Sequence, residues 1–484
     1  MRERRDHFIG GDWVAAAAGG EIVVHSPATL ELVGRSADAG PADIDAAVAA
    51  ARQAFDAGPW PWTPARERAA VMRRMAAYMR ERGDEIAELL CDEMGSPISF
   101  LKRGGGDGPS PLFEYYADLA ETWPFEAPRQ GALGPAVVRQ EPVGVVAAIT
   151  PWNGPLFILA LKVAPALAAG CTIVAKPAPE APLDAFYMAD AAAAAGLPPG
   201  VLNIVPGGRE AGEHLVRHPG IDKVSFTGST AAGRKIAAIC GEELKRCSLE
   251  LGGKSAAVML QDAAVESLVQ CAIPLGLAFN NGQACAALTR VLVPRNRHDE
   301  VVDAMVSFVK GLKVGDPRDP ETTMGPLIAE RQRERVERYL GLGREEGATL
   351  AIGGGRPKGL DKGWYVEPTV FAEASNDMTI AREEIFGPVG VVIPYDGGDD
   401  EAVALANAST YGLGGAVFSA DPDRAYRAAS RIRTGTIGLN MFGVDPYCPF
   451  GGFKSSGIGR EMGPEGLASF IEYKSVFNRA RPEA

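Results

Sequence analysis

The chain has 484 residues, about three times a typical domain, which excludes a single small module. Its 46% hydrophobic and 23% charged content is that of an ordinary globular protein and excludes the disordered and fibrous classes. The formal net charge of −12 opposes binding to nucleic acid or an anionic membrane surface, leaving small molecules or proteins as partners. No apolar run approaches the ~18 residues of a membrane span, and the opening Met1-Arg-Glu-Arg-Arg-Asp-His is not followed by the apolar segment of a signal peptide. A soluble cytoplasmic protein is expected. The seven cysteines, at 91, 171, 240, 247, 271, 285 and 448, are odd in number and lack CxxC spacing, so neither a disulfide framework nor a zinc site is expected. Glycine is in excess at 58 residues, which points to tight turns and close approaches of backbone to ligand.

In chain order, Asp43 caps a helix predicted over 44–55, and an amphipathic stretch follows over 64–93. The glycine-rich text 103–109 is a loop, and 112–122 a third helix. Residues 123–144 carry prolines at 124, 128, 135 and 142 around a short Val137-Val138 run, which suits a projecting extended arm. Then β-branched runs at 145–150, 172–175, 201–205 and 223–226 alternate with helical text at 157–169, 183–195 and 210–217. Such alternation predicts a parallel sheet covered on both faces, with ligands at the carboxyl ends of its strands. A second block follows Gly252, with strands at 256–260, 290–293, 367–371, 389–395 and 414–419 and helices at 263–272, 297–312 and 330–346. The closing 470–477 is a candidate edge strand.

Several segments carry residue types suited to chemistry. The text Lys223-Val-Ser-Phe-Thr-Gly-Ser-Thr is a strand, a Gly-Ser turn and a helix start, an arrangement that presents backbone N–H groups to a phosphate. A bare helix cap by Ser229 or Thr230 is the competing reading. Cys285 stands in a polar loop, Asn280-Asn-Gly-Gln-Ala-Cys, where a thiol is open to activation; packing alone remains the alternative. Glu250 is flanked by leucines and followed by two glycines, and partial desolvation there raises its pKa toward that of a general base. A solvated strand-end carboxylate is the plainer reading. Asn153 and Lys176 each follow a predicted strand end. An amide at the first suits an oxyanion as well as a turn, and an amine at the second suits a ligand hydroxyl as well as solvent.

Taken in order, Thr150-Pro-Trp-Asn, Lys176-Pro, Phe226-Thr-Gly-Ser, Leu249-Glu-Leu-Gly-Gly-Lys, Gly282-Gln-Ala-Cys, Glu383-Glu-Ile-Phe-Gly-Pro and Pro449-Phe-Gly-Gly-Phe-Lys-Ser-Ser-Gly-Ile-Gly-Arg-Glu resemble the signature segments of the aldehyde dehydrogenase superfamily. Phe8-Ile-Gly-Gly-Asp-Trp is similar to that family's opening, so the resemblance spans nearly the whole chain. It implies an α/β protein with two Rossmann-like parallel α/β domains and a small β oligomerisation arm. The NAD(P)-binding domain would take 1–123 and 143–252, the catalytic domain 253–469, and the arm 124–142 and 470–484, with a homodimer or homotetramer as the assembly. The implied reaction is oxidation of an aldehyde to the acid with reduction of NAD(P). Cys285 would be the nucleophile, Asn153 the oxyanion donor and Glu250 the base that activates water against a thioester. Lys176 and Glu384 would bind the two riboses, Gly228 and Ser229 the pyrophosphate, with Thr227 also in the cofactor site, and Phe386 would pack near the nicotinamide ribose. Ile149, Trp152, Gly208, Gly212 and Leu251 match positions lining the cofactor groove.

Two departures bear on specificity. Where the family often has Glu three positions after the Lys176 equivalent, this chain has Pro179, with Glu180 one later. NAD is favoured over NADP on the resemblance, less firmly than NAD(P) binding itself. Gly154 stands where many relatives have an aromatic residue, so Phe157, Met441, Phe442 and Tyr447 are the expected walls of an apolar, roomy aldehyde pocket without an arginine for a carboxylated substrate. Acyl transfer to coenzyme A, a cofactor-independent thioester or ester hydrolase and an idle scaffold are the competing functions. Retention of Glu250, Cys285, Asn153, Lys176 and Glu384 together counts against each of them.

Overall fold

The computed structural model describes residues 2–105 and 108–477. Gly106 and Asp107 of the expected loop and 478–484 of the expected arm lie outside the described residues. Two large sheets organise the chain. The first has eight strands in the spatial order Gly457–Ile458, Arg246–Glu250, Lys223–Thr227, Val145–Ile149, Thr172–Lys176, Leu202–Ile204, Asp6–Ile9 and Asp12–Ala15. Its five central strands, from Arg246–Glu250 to Leu202–Ile204, are parallel, and they are buried almost throughout, as strands covered on both faces are. Crossover helices Pro155–Ala169 and Ala185–Ala194 cover one face, and Pro41–Asp56, Arg209–Arg217 and Thr230–Glu242 lie among the elements of the other.

The chain runs outward from Val145–Ile149 through Thr172–Lys176 to Leu202–Ile204, then returns to place Lys223–Thr227 on the opposite side. The order therefore reverses beside Val145–Ile149. Crevices form at the carboxyl ends of strands at such a reversal, because the two flanking connections leave in opposite directions.

The second sheet has seven strands, ordered Thr349–Ile352, Thr369–Ala372, Val389–Tyr395, Arg290–Pro294, Ala256–Met259, Gly414–Phe418 and Thr436–Leu439, all parallel except the first. Only five residues separate Glu250 from Ala256, so the carboxyl end of the first sheet leads straight into the amino end of the second. That short connection positions everything described below.

Some elements differ from expectation. The stretch 64–93 divides into Ala65–Glu81 and Gly83–Met94 at Arg82, whose φ of −110° and ψ of 15° are not helical. The helix expected over 263–272 contains a π-turn, Leu268–Ala272, and continues as Ile273–Leu277. Pro274 explains the widening, since it has no N–H and its ring excludes the carbonyl four residues back. The N-terminal hairpin Asp6–Ile9 with Asp12–Ala15 turns through Gly10 and Gly11, both at positive φ (64° and 91°), a two-glycine hairpin signal legible in the text. Ile471–Phe477 pairs antiparallel with Gly134–Pro142, which pairs with Glu126–Gly131. The expected edge strand thus joins the proline-rich arm in a separate three-stranded sheet, outside both large ones.

Candidate active site

Four predicted residues sit at carboxyl ends of the first sheet. Asn153 follows Val145–Ile149, Lys176 ends Thr172–Lys176, Gly228 follows Lys223–Thr227 and Glu250 ends Arg246–Glu250. Facing them are the segments that precede strands of the second sheet: Gly253, Cys285 and Glu384. The two sets interlock. Asn153 Nδ2 donates to the Gln283 carbonyl at 3.0 Å, the Gly253 N–H donates to Glu384 Oε1 at 3.0 Å, and a Cβ on Gly253 would lie 2.4 Å from the Cys285 carbonyl oxygen.

The loop before Cys285 is held in an unusual backbone. Asn280, Asn281 and Gly282 are successively left-handed, with φ of 48°, 57° and 75°. Asparagine tolerates that region better than other side chains, but a run of three needs outside support. Ser96 Oγ donates to Asn280 Oδ1 at 2.6 Å, and Asn280 Nδ2 donates to the Asn153 and Gln283 carbonyls. Asn281 Nδ2 donates to the Gly95 and Pro326 carbonyls, and its Oδ1 accepts from the Gly325 N–H. Gln283 Oε1 accepts from the Ile328 N–H. Only glycine fits at 282, where a Cβ would lie 2.4 Å from the Gly387–Pro388 peptide. Asn280, Asn281 and Gln283 are functional residues to which the sequence reading gave no role; the Asn-Asn-Gly run was the available signal.

Cys285 is half-buried and unpaired. Burial first, then the Glu384 and Glu250 carboxylates, push its thiol up to about 12, so the unliganded site holds a thiol. Glu250 is 3% exposed and neither carboxylate oxygen has a partner among the described residues. Desolvation, then Glu461, hold its pKa well above the usual carboxylate range. Glu461 is itself engaged: fully buried Lys162 donates to it at 2.5 Å and to Thr227 Oγ1 at 2.7 Å. This ion pair escaped the sequence reading because Lys162 lies in apolar helical text and Glu461 lies 299 residues away.

Asn153 spends one amide N–H on Gln283, and its second has no partner among the described residues. That leaves a donor beside the Cys285 loop.

The residues predicted for the cofactor stand at these strand ends and on the segments that face or follow them. Lys176 Nζ donates to the carbonyls of Pro177 (3.0 Å) and Gly207 (2.6 Å), and burial lowers its pKa to about 8. One of its three N–H donors is left over. Gly212 comes close to the Lys176 stem, and Gly208 is the cap residue of helix Arg209–Arg217. Ser229 Oγ accepts from the Ala232 N–H at 3.3 Å, so the capping reading of Ser229 holds. Capping uses one first-turn donor and leaves others at this helix end free for an anion. Thr227 and Gly228 stand immediately before that cap, and Ile149 and Leu251 pack in the core beneath.

Glu384 Oε2 has no partner among the described residues, and burial raises its pKa to about 7. A Cβ on Gly252 would lie 2.6 Å from that oxygen and displace the Glu384 carboxylate. Buried Lys254 has an unpartnered Nζ lowered to about 7 by burial, then by Arg290. Phe386, at φ 65°, meets Trp152 edge to face with centroids 5.3 Å apart. Residual donors on Lys176, an acceptor on Glu384 and a helix N-terminus between them form a donor and acceptor set that fits a dinucleotide.

The expected pocket walls separate. Phe157, Trp152 and Cys285 pack on one apolar body. Tyr447 is 67% exposed and meets Tyr115 edge to face at 4.6 Å, and Met441 is 61% exposed. Phe442 is half-buried against the core beneath the second sheet, its ring 2.8 Å from a Cβ built on Gly414. One residue upstream, Met441 is turned out to solvent. Phe450, 8% exposed, belongs to the same apolar body against which Cys285 packs.

Comparison with known proteins agrees with this geometry. A model of the Aldehyde dehydrogenase family matches residues 13–476. The chain is 48% identical over 471 residues to geranial dehydrogenase of Castellaniella defragrans, covering 97% of this chain and 98% of that protein. It superposes with a TM-score of 0.97 on a crystal structure of Mycobacterium tuberculosis aldehyde dehydrogenase complexed with NAD+, at 48% identity and full coverage of both chains (100% and 100%). Against aldehyde dehydrogenase C of Pseudomonas syringae, a mutant solved with NAD+ and octanal, the TM-score is 0.94 at 42% identity, covering 98% of this chain and 96% of that one. The chain belongs to the aldehyde dehydrogenase family, whose general reaction oxidises an aldehyde to the carboxylic acid.

Proposed function

We propose that this protein oxidises an uncharged apolar aldehyde to its acid with NAD as the favoured acceptor, through a covalent intermediate on Cys285. The observation that carries the reading is the convergence of Cys285, Asn153 and Glu250 in one crevice between the carboxyl ends of one sheet and the amino ends of the other. The Cys285 thiolate attacks the carbonyl carbon, giving a thiohemiacetal. The free N–H of Asn153 Nδ2 and a backbone N–H near Cys285 donate to its oxyanion, and because the loop is already braced they need no rearrangement to do so. Bound NAD supplies the hydride acceptor, and its positively charged ring favours the thiolate. With the hydride gone, Cys285 carries a thioester. Glu250, once ionised, takes a proton from water as the water attacks, releasing the acid and the sulfur.

Lys176 and Glu384 hold the two riboses, and the helix end at Thr227, Gly228 and Ser229 holds the pyrophosphate. Ile149, Trp152, Gly208, Gly212, Leu251 and Phe386 shape the groove. Residues 1–123 and 143–252 serve as the cofactor domain and 253–469 as the catalytic domain. Segments 124–142 and 470–484 serve as the arm of a dimer or tetramer, whose outer strand exposes Tyr473, Val476 and Phe477. Seven unpaired cysteines suit a reducing cytoplasm, and among the described residues no helix is long and apolar enough to cross a membrane.

The apolar substrate class rests on the apolar body, with Phe157 and Phe450, against which Cys285 packs, and on relatives that are a geranial dehydrogenase and an octanal complex. The test is an aldehyde panel followed by absorbance of reduced cofactor, with and without coenzyme A. A strong preference for a carboxylated semialdehyde overturns the substrate class, and a strict requirement for coenzyme A overturns hydrolysis.

A further inference from the structure

Beyond the expected cofactor contacts, one ion pair joins the two halves of the molecule across the groove. Arg331 Nη2, on the first turn of helix Glu330–Glu345 that follows the catalytic loop's brace, bonds Glu180 Oε1, four residues past the end of strand Thr172–Lys176. Glu180 is 16% exposed at its side chain and Arg331 56%. Helix Glu330–Glu345 is fixed at the site by two other contacts. The Ile328 N–H donates to Gln283 Oε1 just before the helix begins, and Arg335 donates to the Glu384 and Ile385 carbonyls. Arg331 and Arg335 are spaced i, i+4 and so share a face. That face bonds Glu180, just past the strand that ends in Lys176, through Arg331, and the Glu384 carbonyl through Arg335.

In an open parallel sheet the adenosine ribose of a dinucleotide lies against the end of the second strand, where a carboxylate that accepts from the 2′-hydroxyl excludes a 2′-phosphate and a nearby arginine admits one. Strand Thr172–Lys176 is the second strand of this unit, and Glu180 is the carboxylate nearest its end in sequence. Glu180 is not a free carboxylate, because Arg331 occupies it. The other charged groups bearing on Lys176 from neighbouring elements include Asp38. Lys176 and Arg331 thus balance Glu180 and Asp38. A site with a free acid at this place would carry one more negative charge.

We propose that the Arg331–Glu180 pair sets coenzyme specificity: Arg331 cancels the carboxylate that would repel a 2′-phosphate, so the enzyme binds NADP as well as NAD, with NAD only modestly preferred. The inference rests on the dinucleotide reading above. Removing Arg331 frees Glu180 and makes the enzyme selective for NAD, whereas removing the Glu180 charge frees Arg331 and turns it toward NADP.

The test is direct binding of NAD and NADP to wild type, Arg331→Gln, Glu180→Gln and the double variant, by quenching of tryptophan fluorescence, with melting temperatures to verify folding. One charge contact at a partly exposed site corresponds to about a tenfold change in affinity. Arg331→Gln should therefore raise the Kd for NADP about tenfold and leave that for NAD nearly unchanged. Glu180→Gln should lower the Kd for NADP by a similar factor, and the double variant should return near the wild-type ratio. A ratio that stays constant in both folded single variants overturns the inference, as does wild-type affinity for NADP about a thousandfold or more below that for NAD. If neither nucleotide binds wild type, the cofactor reading fails and carries this inference with it.

Discussion

Replacing Gly253 by alanine should disable the site while leaving the fold intact. The added Cβ would lie 2.4 Å from the carbonyl oxygen of Cys285 and 3.3 Å from Leu413 Cβ. The first distance is about 1 Å short of an ordinary contact. Leu413 Cβ is itself tight against the added atom, so the strain falls on the loop that carries the nucleophile. That loop has little freedom, because Asn280, Asn281 and Gln283 tie it to Asn153, Gly95 and Ile328. Overpacking of this kind costs about 1–3 kcal/mol of stability. A displacement near 1 Å at a reacting atom costs on the order of 100-fold in rate, or about 2.7 kcal/mol of transition-state stabilisation. Gly253 also donates its N–H to Glu384, so KM for the coenzyme should rise as well.

Steady-state kinetics with a medium-chain aldehyde, read by reduced-coenzyme absorbance beside a thermal melt, measure both effects. Gly241→Ala is the control, since an alanine there meets nothing within 4 Å; its kinetics should match the parent. A folded Gly253→Ala enzyme with kcat/KM within about threefold of the parent would refute the placement of Cys285 against Gly253.

Glu250→Gln should slow deacylation and leave a burst of reduced coenzyme; unchanged steady-state turnover removes Glu250 as the base. Its effect on stability depends on pH in a defined direction. A carboxyl raised in the folded state costs nothing below its unfolded value near 4.5 and destabilises increasingly as pH rises toward the folded value. Relative to the parent, the variant should therefore melt no higher at pH 4.5 and higher at pH 8, and a difference independent of pH contradicts the buried acid. With its thiol pushed up to about 12, Cys285 should alkylate with iodoacetamide more slowly at pH 7.5 than exposed Cys448. Peptide mapping reads the order, and saturating NAD should speed only Cys285. Asn281→Gly keeps the left-handed backbone but loses three buried hydrogen bonds, worth about 3 kcal/mol together, so its melting temperature should fall well below the parent's.

Several features followed from local text alone. Alternating β-branched and alanine-rich runs set out parallel strands and crossover helices, because strand and helix periods differ over a few residues. Short segments around Asn153, Lys176, Gly228, Glu250, Cys285 and Glu384 carried the family resemblance, each being a strand end or turn whose residue types are set by its own backbone. The two-glycine turn at Gly10 and Gly11 and the left-handed run at Asn280 were equally local and equally readable.

Tertiary structure decided the remainder. Lys162 lies in apolar helical text, and only the approach of Glu461 from 299 residues away makes it a buried ion-pair partner behind the Glu250 strand. Phe442 and Phe450 are the same residue type and eight residues apart, yet they pack on different cores, which nothing in the local text distinguishes. Arg331 and Glu180, 151 residues apart, acquire a shared role only because the carboxyl end of one sheet runs through five residues into the amino end of the next. Sequence determines what each strand end offers; the facing of the two sheets determines which offers meet.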